Sequence, residues 1–212
     1  MALQEREGTG DWTRWPPELR TRHTEALINA QDLLSSDIHY HEFIQWQFSL
    51  QWNELKDYCR AKGIRLIGDI PLFVAHHSAD VWAHPELFKL NADGKSTVVA
   101  GVPPDYFSKT GQLWGLPVYR WEVLQAQHYC WWIERVRMSF SRFDINRLDH
   151  VIGFVQTYEV PAQETTALKG RYVLGGGVRL FRAIHEALGL MPFIADDLGD
   201  STLCALRRNT SL

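Results

Sequence analysis

Three aspartates stand where short apolar runs end: Asp69 after Ile64-Arg65-Leu66-Ile67-Gly68, Asp149 after the run 143–148, and Asp196 after the run 191–195. Retaining cleavage of a glycosidic bond needs one ionised carboxylate as nucleophile and one protonated carboxyl as acid, about 5–5.5 Å apart across the bond. Two neighbouring strand ends supply such a pair. Arg147 and Asp149 are two apart on a strand and point to one face, where the guanidinium favours an ionised aspartate, so Asp149 is the candidate nucleophile. Asp196 closes an apolar strand and is followed by Asp197; desolvation and like charge together favour a protonated carboxyl there, so Asp196 is the candidate acid/base. The same pattern also fits helix capping or Mg²⁺ binding, which strand-end aspartates perform in unrelated α/β proteins.

The elements that must position these acids alternate. Pro16-Pro17 opens an entry segment over 11–22. Apolar Phe43, Ile44, Phe48, Trp52, Leu55, Tyr58 and Cys59 recur mostly every three or four residues, predicting a one-sided helix over 41–62 that Gly63 stops. A strand precedes Asp69. The stretch 71–121 is rich in Pro, Gly and Asp and reads as a long loop with a binding role. A helix over 122–138, a strand over 143–148, a helix opened by Gly175-Gly176-Gly177 and stopped by Gly189, and a strand over 191–195 follow. This order predicts an α/β protein with a parallel sheet whose C-terminal edge carries all three acids, the edge where a TIM barrel holds its catalytic groups.

Composition narrows the function. With 45% hydrophobic and 22% charged residues, the 212-residue chain has the apolar content for a core. A formal net charge of -3 lacks the basic excess of a nucleic-acid binder. Nine Trp, ten Phe and seven Tyr supply flat faces suited to sugars as well as to cores. Three scattered cysteines, no basic-then-apolar leader and no membrane-length apolar run predict a cytoplasmic protein.

Other groupings read as structural. His76, His77 and His84 have no Cys or Glu at a zinc spacing and are taken as loop histidines, so no metal is expected. Ser78 near His77 and Asp80 lacks a nucleophile elbow. The triple glycine lacks a P-loop lysine. Trp131-Trp132 lies on a helix and is expected to pack.

Six motifs in order carry a resemblance: Gly68-Asp69-Ile70-Pro71; Ser78-Ala79-Asp80-Val81-Trp82; Ala100-Gly101-Val102-Pro103-Pro104-Asp105-Tyr106-Phe107-Ser108; Gly111-Gln112-Leu113-Trp114-Gly115; Arg147-Leu148-Asp149-His150; and Asp197-Leu198-Gly199. From about Trp12 to Arg207 the chain resembles amylomaltase, the 4-α-glucanotransferase or disproportionating-enzyme family, glycoside hydrolase family 77 of the α-amylase clan. The resemblance implies retaining transfer of α-1,4-glucan segments to glucose or maltodextrin acceptors, without a cofactor. It implies Asp149 as nucleophile, with Arg147 its charge partner and His150 a donor to the sugar. Asp69 would line the same cleft. Asp105, Tyr106 and Trp114 would belong to a loop that covers the glucan and excludes water, so that the intermediate waits for a sugar hydroxyl.

The chain departs from the family in places. The acid/base is a glutamate in relatives, where this chain has Asp196, one methylene shorter. Val151-Ile152 replaces an aromatic and a basic residue, Leu116 an asparagine, and His77 stands where relatives often have an acid. A complete (β/α)₈ barrel takes about 250 residues, so the expectation is a partial TIM barrel, about the third to fifth strands with the glucan-covering loop. In this division 1–10 is an N-terminal lead, 11–208 a partial catalytic barrel and 209–212 a divergent end. The earlier strands and a downstream His-Asp motif with the third carboxylate are missing, and unpaired edges and uncovered apolar faces are expected. Two alternatives remain: a degenerate α-glucan-binding remnant without turnover, and a metal-dependent α/β hydrolase using the same acids.

Overall fold

The structure, a computed structural model, describes residues 1–196. Seven strands run β1 Ile67–Ile70, β2 Val98–Val102, β3 Gln112–Pro117, β4 Ile145–Leu148, β5 Gln156–Pro161, β6 Arg171–Leu174 and β7 Phe193–Ala195. They form two sheets. β1, β4 and β7 make a parallel sheet in the order β1-β4-β7, and β2, β3, β5 and β6 make an antiparallel sheet in the order β3-β2-β5-β6. The fold is thus mixed α/β. The three expected strands are present and parallel, and their register places Asp69 beside Arg147 and Arg147 beside Ile194. Asp197-Leu198-Gly199, Cys204 and 209–212 lie outside the described residues.

One face of the parallel sheet is covered. Helix Cys130–Arg142 lies against β1 and β4 and packs beside helix Gly177–Leu188. Gly68 permits the close approach: a Cβ there would run into the Phe143 ring and the Asn146 Oδ1 atom. Fully buried Asn146 in turn accepts from Ser139 Oγ at 2.5 Å. The other face carries Ile67 and Ile194, both exposed, along with Asp69 and Arg147.

The antiparallel sheet was not anticipated. Its β2–β3 hairpin lies within the stretch expected to be loop, which also holds helix Ala79–Ala83 and a single helical turn, Pro85–Leu87; 71–78, 88–97 and the hairpin tip, 103–111, lie outside helices and strands. β5 hid because its Glu159 breaks the apolar run, yet that side chain is buried and paired with Lys89 Nζ at 2.5 Å. The helix expected over 122–138 is two, Trp121–Ala126 and Cys130–Arg142, parted where His128 and Tyr129 take left-handed conformations. The Tyr129 N–H then donates to the Leu124 carbonyl at 2.7 Å, satisfying a helix-end acceptor without glycine.

A single core joins the N-terminal Trp12 and Trp15 to Leu72, Trp132, Phe154 and Leu180. Trp132 is fully buried, as expected of a packing residue. Leu3, from the short helix Ala2–Glu7, packs on the same core. The helix expected over 41–62 runs Ser35–Ala61, and its apolar stripe is uncovered: Phe43, Ile44, Phe48, Leu55 and Tyr58 are exposed and only Cys59 is buried. Its anchor is Trp52, whose Nε1 donates to the Arg142 carbonyl at 2.9 Å. Periodicity made the helix, but none of the described elements covers the stripe. Among the described residues no helix is long and apolar enough to cross a membrane.

Replacing Gly68 by alanine should cost about 1–3 kcal/mol through overpacking, read as a lower urea midpoint. An unchanged midpoint would mean that helix Cys130–Arg142 can retreat from the sheet without loss.

Candidate active site

Strand periodicity builds the site. Asp69 and Arg147 are register partners, and Asp149 and Asp196 each lie two residues beyond a member of the Arg147–Ile194 pair, so all four side chains rise on the face left open by the helices. Arg147 sits at the centre. Its Nη1 donates to Asp69 Oδ1 at 2.8 Å, while its Nη2 donates to Asp149 Oδ1 at 2.7 Å and to Asp196 Oδ2 at 3.0 Å. The hydrogen bonds from Arg147 to Asp69 and Asp149 raise the guanidinium's affinity for its proton further.

Both candidate catalytic carboxylates touch one nitrogen. Their bonded oxygens are therefore no further apart than those two contacts laid end to end, which is short of the ~6.5–9.5 Å of inverting enzymes.

Asp196 is the most enclosed of the acids, with 14% of its side chain exposed against 44% for Asp149 and 57% for Asp69. The sequence did not disclose its donors. The backbone N–H of His150 reaches Oδ2 at 3.1 Å and that of Val151 reaches Oδ1 at 3.0 Å, in addition to Arg147. Both oxygens are thus acceptors, drawn down onto the turn that follows β4. Asp197, the expected like charge, lies outside the described residues.

The turn is strained to present these groups. His150 has φ 52°, unusual for a residue with a Cβ, and the Asp149 N–H donates back to the Ile70 carbonyl at 3.1 Å. The His150 ring is half-buried and stands edge-on to Trp114 with centroids 4.9 Å apart. Gly153 lies beneath it, where a Cβ would strike both Leu72 and the ring. Burial lowers the His150 pKa from its ordinary 6.5, opposed by the charges of Asp196 and Asp149.

Trp114 lies on β3, not in the irregular loop, half-buried against His150 and Phe73. Asp105 and Tyr106 occupy the hairpin tip. Asp105 Oδ1 accepts from the backbone N–H of Phe107 and Ser108 at 2.9 and 2.7 Å, so this carboxylate shapes the tip. Tyr106 is 96% exposed. The structure therefore gathers Asp69, Arg147, Asp149, His150, Asp196 and Trp114 and shows no comparable gathering of Asp105 and Tyr106.

One supporting residue escaped the sequence reading. Arg135 donates to the Pro71 carbonyl at 2.7 Å and the Leu72 carbonyl at 3.2 Å, with its guanidinium 4.8 Å from the centre of the Trp132 ring. Tyr119 Oη adds a bond to the same Leu72 carbonyl at 2.8 Å. Together they fix the chain as it leaves Asp69. The helical pattern gave Arg135 no distinction from a solvated arginine.

Because the folded state lowers the His150 pKa, protonation favours the unfolded chain. Its neutral form supports stability above pH 6.5, and that support is lost as pH falls through the lowered value. Asn tolerates the left-handed turn, so in His150→Asn the stability difference from the parent should shift against the parent between about pH 7.5 and about pH 5. A difference that does not change with pH would remove burial of this ring as a determinant.

A family model described as 4-alpha-glucanotransferase matches residues 1–208. Two relatives of that name, from Thermus thermophilus and Aquifex aeolicus, are 49% and 47% identical over 199 residues, 94% of this chain in each case. The match spans 40% and 41% of those proteins, so the chain covers about two fifths of their length. Among solved structures, amylomaltase from Streptococcus agalactiae in complex with acarbose superposes with a TM-score of 0.94 at 40% identity, over 100% of this chain and 43% of that one. Amylomaltase from Corynebacterium glutamicum, at 19% identity and a TM-score of 0.71, shares the fold. The extent of the family match, together with strand ends that carry the expected acids in one cluster, shows that this chain belongs to the 4-alpha-glucanotransferase family, glycoside hydrolase family 77.

Proposed function

We propose that this chain carries the nucleophile-bearing part of a retaining 4-α-glucanotransferase, as a portion of a (β/α)₈ barrel comprising about its third to fifth strands. The observation that supports this reading is the shared Nη2 contact of Asp149 and Asp196, which brings two strand-end carboxylates to one guanidinium nitrogen, nearer than an inverting pair stands. The open face of the β1-β4-β7 sheet, with exposed Ile67 and Ile194, agrees with a barrel interior. On this reading 11–208 is barrel, and the site works in the cytoplasm.

In the first step, Asp149 attacks the anomeric carbon of an α-1,4-glucan, and the bond to the leaving 4-oxygen breaks as a proton passes to that oxygen from the carboxyl at 196. The glycosyl-enzyme ester then reacts with the 4-hydroxyl of glucose or a maltodextrin. That hydroxyl returns its proton to residue 196 as Asp149 departs. Arg147 engages Asp149 Oδ1 and leaves Oδ2 for attack, while Asp69 fixes Arg147 from the other side. Half-buried His150 donates to the sugar at the cleavage point, and Trp114 offers it an apolar face. The hairpin tip with Asp105 and Tyr106 covers the glucan and keeps water from the ester.

A second reading has its own observation. The Asp196 carboxyl is shorter than the family's glutamate and is held by three donors, a geometry that favours glucan binding without turnover. The metal-hydrolase alternative is disfavoured because the Arg147 guanidinium already occupies the space between the acids that a cation would need.

Incubation with maltotriose, followed by chromatography of the products, should show glucose together with longer maltodextrins. Asp149→Asn should abolish them, and Asp196→Glu should raise the rate on the order of 10²-fold by restoring about 1.5 Å of reach. Maltodextrin binding with no product even in Asp196→Glu would establish the remnant reading instead.

A further inference from the structure

Outside the Arg147 cluster, Asp11, His76 and His77 converge, with one ligand atom from each within 4.8 Å of the others. Asp11 caps the single helical turn Trp12–Arg14, and the two histidines lie in the loop leaving β1. Spacing alone offered these histidines no partner, because the third ligand comes from the N-terminal segment.

Each member is held by contacts that leave it able to ligate. His76 Nε2 lies 2.8 Å from the Gly94 carbonyl. A carbonyl only accepts, so Nε2 carries the proton and Nδ1 keeps the lone pair. This outer contact is the one that orients metal-binding histidines. Gly94 is itself pinned, with φ 79° and the Trp12 ring where its Cβ would be. The His76 ring stacks on Trp12 at 5.5 Å, and Trp12 Nε1 donates to the His76 carbonyl at 2.8 Å. Asp11 Oδ1 accepts from the Thr13 N–H and hydroxyl at 3.2 and 2.6 Å, which fixes the carboxylate. His77 Nδ1 stands 3.7 Å from Asp11 Oδ1.

We propose that Asp11, His76 and His77 form a binding site for a divalent first-row transition metal, Zn²⁺ foremost, that clips the N-terminal segment to the loop after β1. Imidazole selects such metals over Mg²⁺ and Ca²⁺. Tetrahedral bonds of about 2.0–2.1 Å place ligand atoms roughly 3.3 Å apart, so a metal would draw in ligand atoms that now lie within 4.8 Å of one another, the 3.7 Å Asp11–His77 gap among them. The 56% exposed His77 side chain is free to make that movement and leaves the fourth position to water. His84 is not in the cluster; its Nδ1 faces Glu86 at 3.5 Å. The proposal stands apart from the transferase reading, and its test needs no glucan.

The test is titration of the metal-stripped chain with Co²⁺, read by visible absorption, then displacement by Zn²⁺. One Co²⁺ per chain is expected. At a Zn²⁺ concentration about a hundredfold above Kd, the melting temperature should rise by roughly 5–10 °C. His77→Ala and Asp11→Asn should each weaken binding at least about tenfold, whereas His84→Ala should bind like the parent. Circular dichroism checks folding, and since His77 is exposed, His77→Ala decides alone if Asp11→Asn unfolds. No bound Co²⁺, undiminished binding by His77→Ala, or an equal loss in His84→Ala would each overturn the proposal.

Discussion

One guanidinium holds the site together. Asp69, Asp149 and Asp196 converge from three adjacent strand ends, and without a cation between them like charges a few ångströms apart would cost about 4 kcal/mol per close pair at an effective dielectric near 20. Arg147 contacts all three. With 37% of its side chain and about half of Asp69 and Asp149 in solvent, these pairs add little to global stability. Their effect is positional. Parallel pairing fixes where each Cα stands, and the planar fork of Arg147 fixes where each carboxylate points.

The second sheet completes that positioning from the other side. β4 runs into the turn at Asp149 and His150, then the short helix Ile152–Val155, then β5, so the acid-bearing turn is continuous with a strand of the antiparallel sheet. β2 pairs with β5, and β3 with β2, which carries Trp114 to the His150 ring. The left-handed conformation at His150 lies in the short connection between the two sheets, and half-buried surroundings hold it there. Displacement of the hairpin would therefore be felt at the Asp149–His150 turn through one ring contact.

The parallel sheet and its acids were legible because each rests on local pattern: an apolar run, an alternation of two, an aspartate at the end. What escaped depended on partners remote in sequence. β5 is interrupted by Glu159, a residue that reads as solvent-facing until Lys89 is beside it. The break at His128 and Tyr129 uses left-handed residues that carry no glycine signal. Arg135 is an ordinary helical arginine until two carbonyls of the loop after β1 and two tryptophan faces meet it. The helix Ser35–Ala61 was legible by its periodicity, and its stripe stays exposed because periodicity states that a face is apolar and not what lies on it.

The consequence of Asp196 follows from the same geometry. A carboxyl that closes β7 can satisfy the two N–H groups of the turn after β4, or it can stand out over the cleft toward a leaving oxygen. With one methylene it does the first: His150 and Val151 hold it against the turn while Arg147 takes the second lone pair of Oδ2. An additional methylene adds a rotatable bond and about 1.5 Å of reach, letting a carboxyl keep its root on β7 and move its oxygens beyond those donors. Shortening at this position therefore changes the partner as well as the distance. The carboxyl here braces the turn that carries Asp149, and the strand, its register and the cluster around Arg147 persist with about 1.5 Å less reach over the cleft.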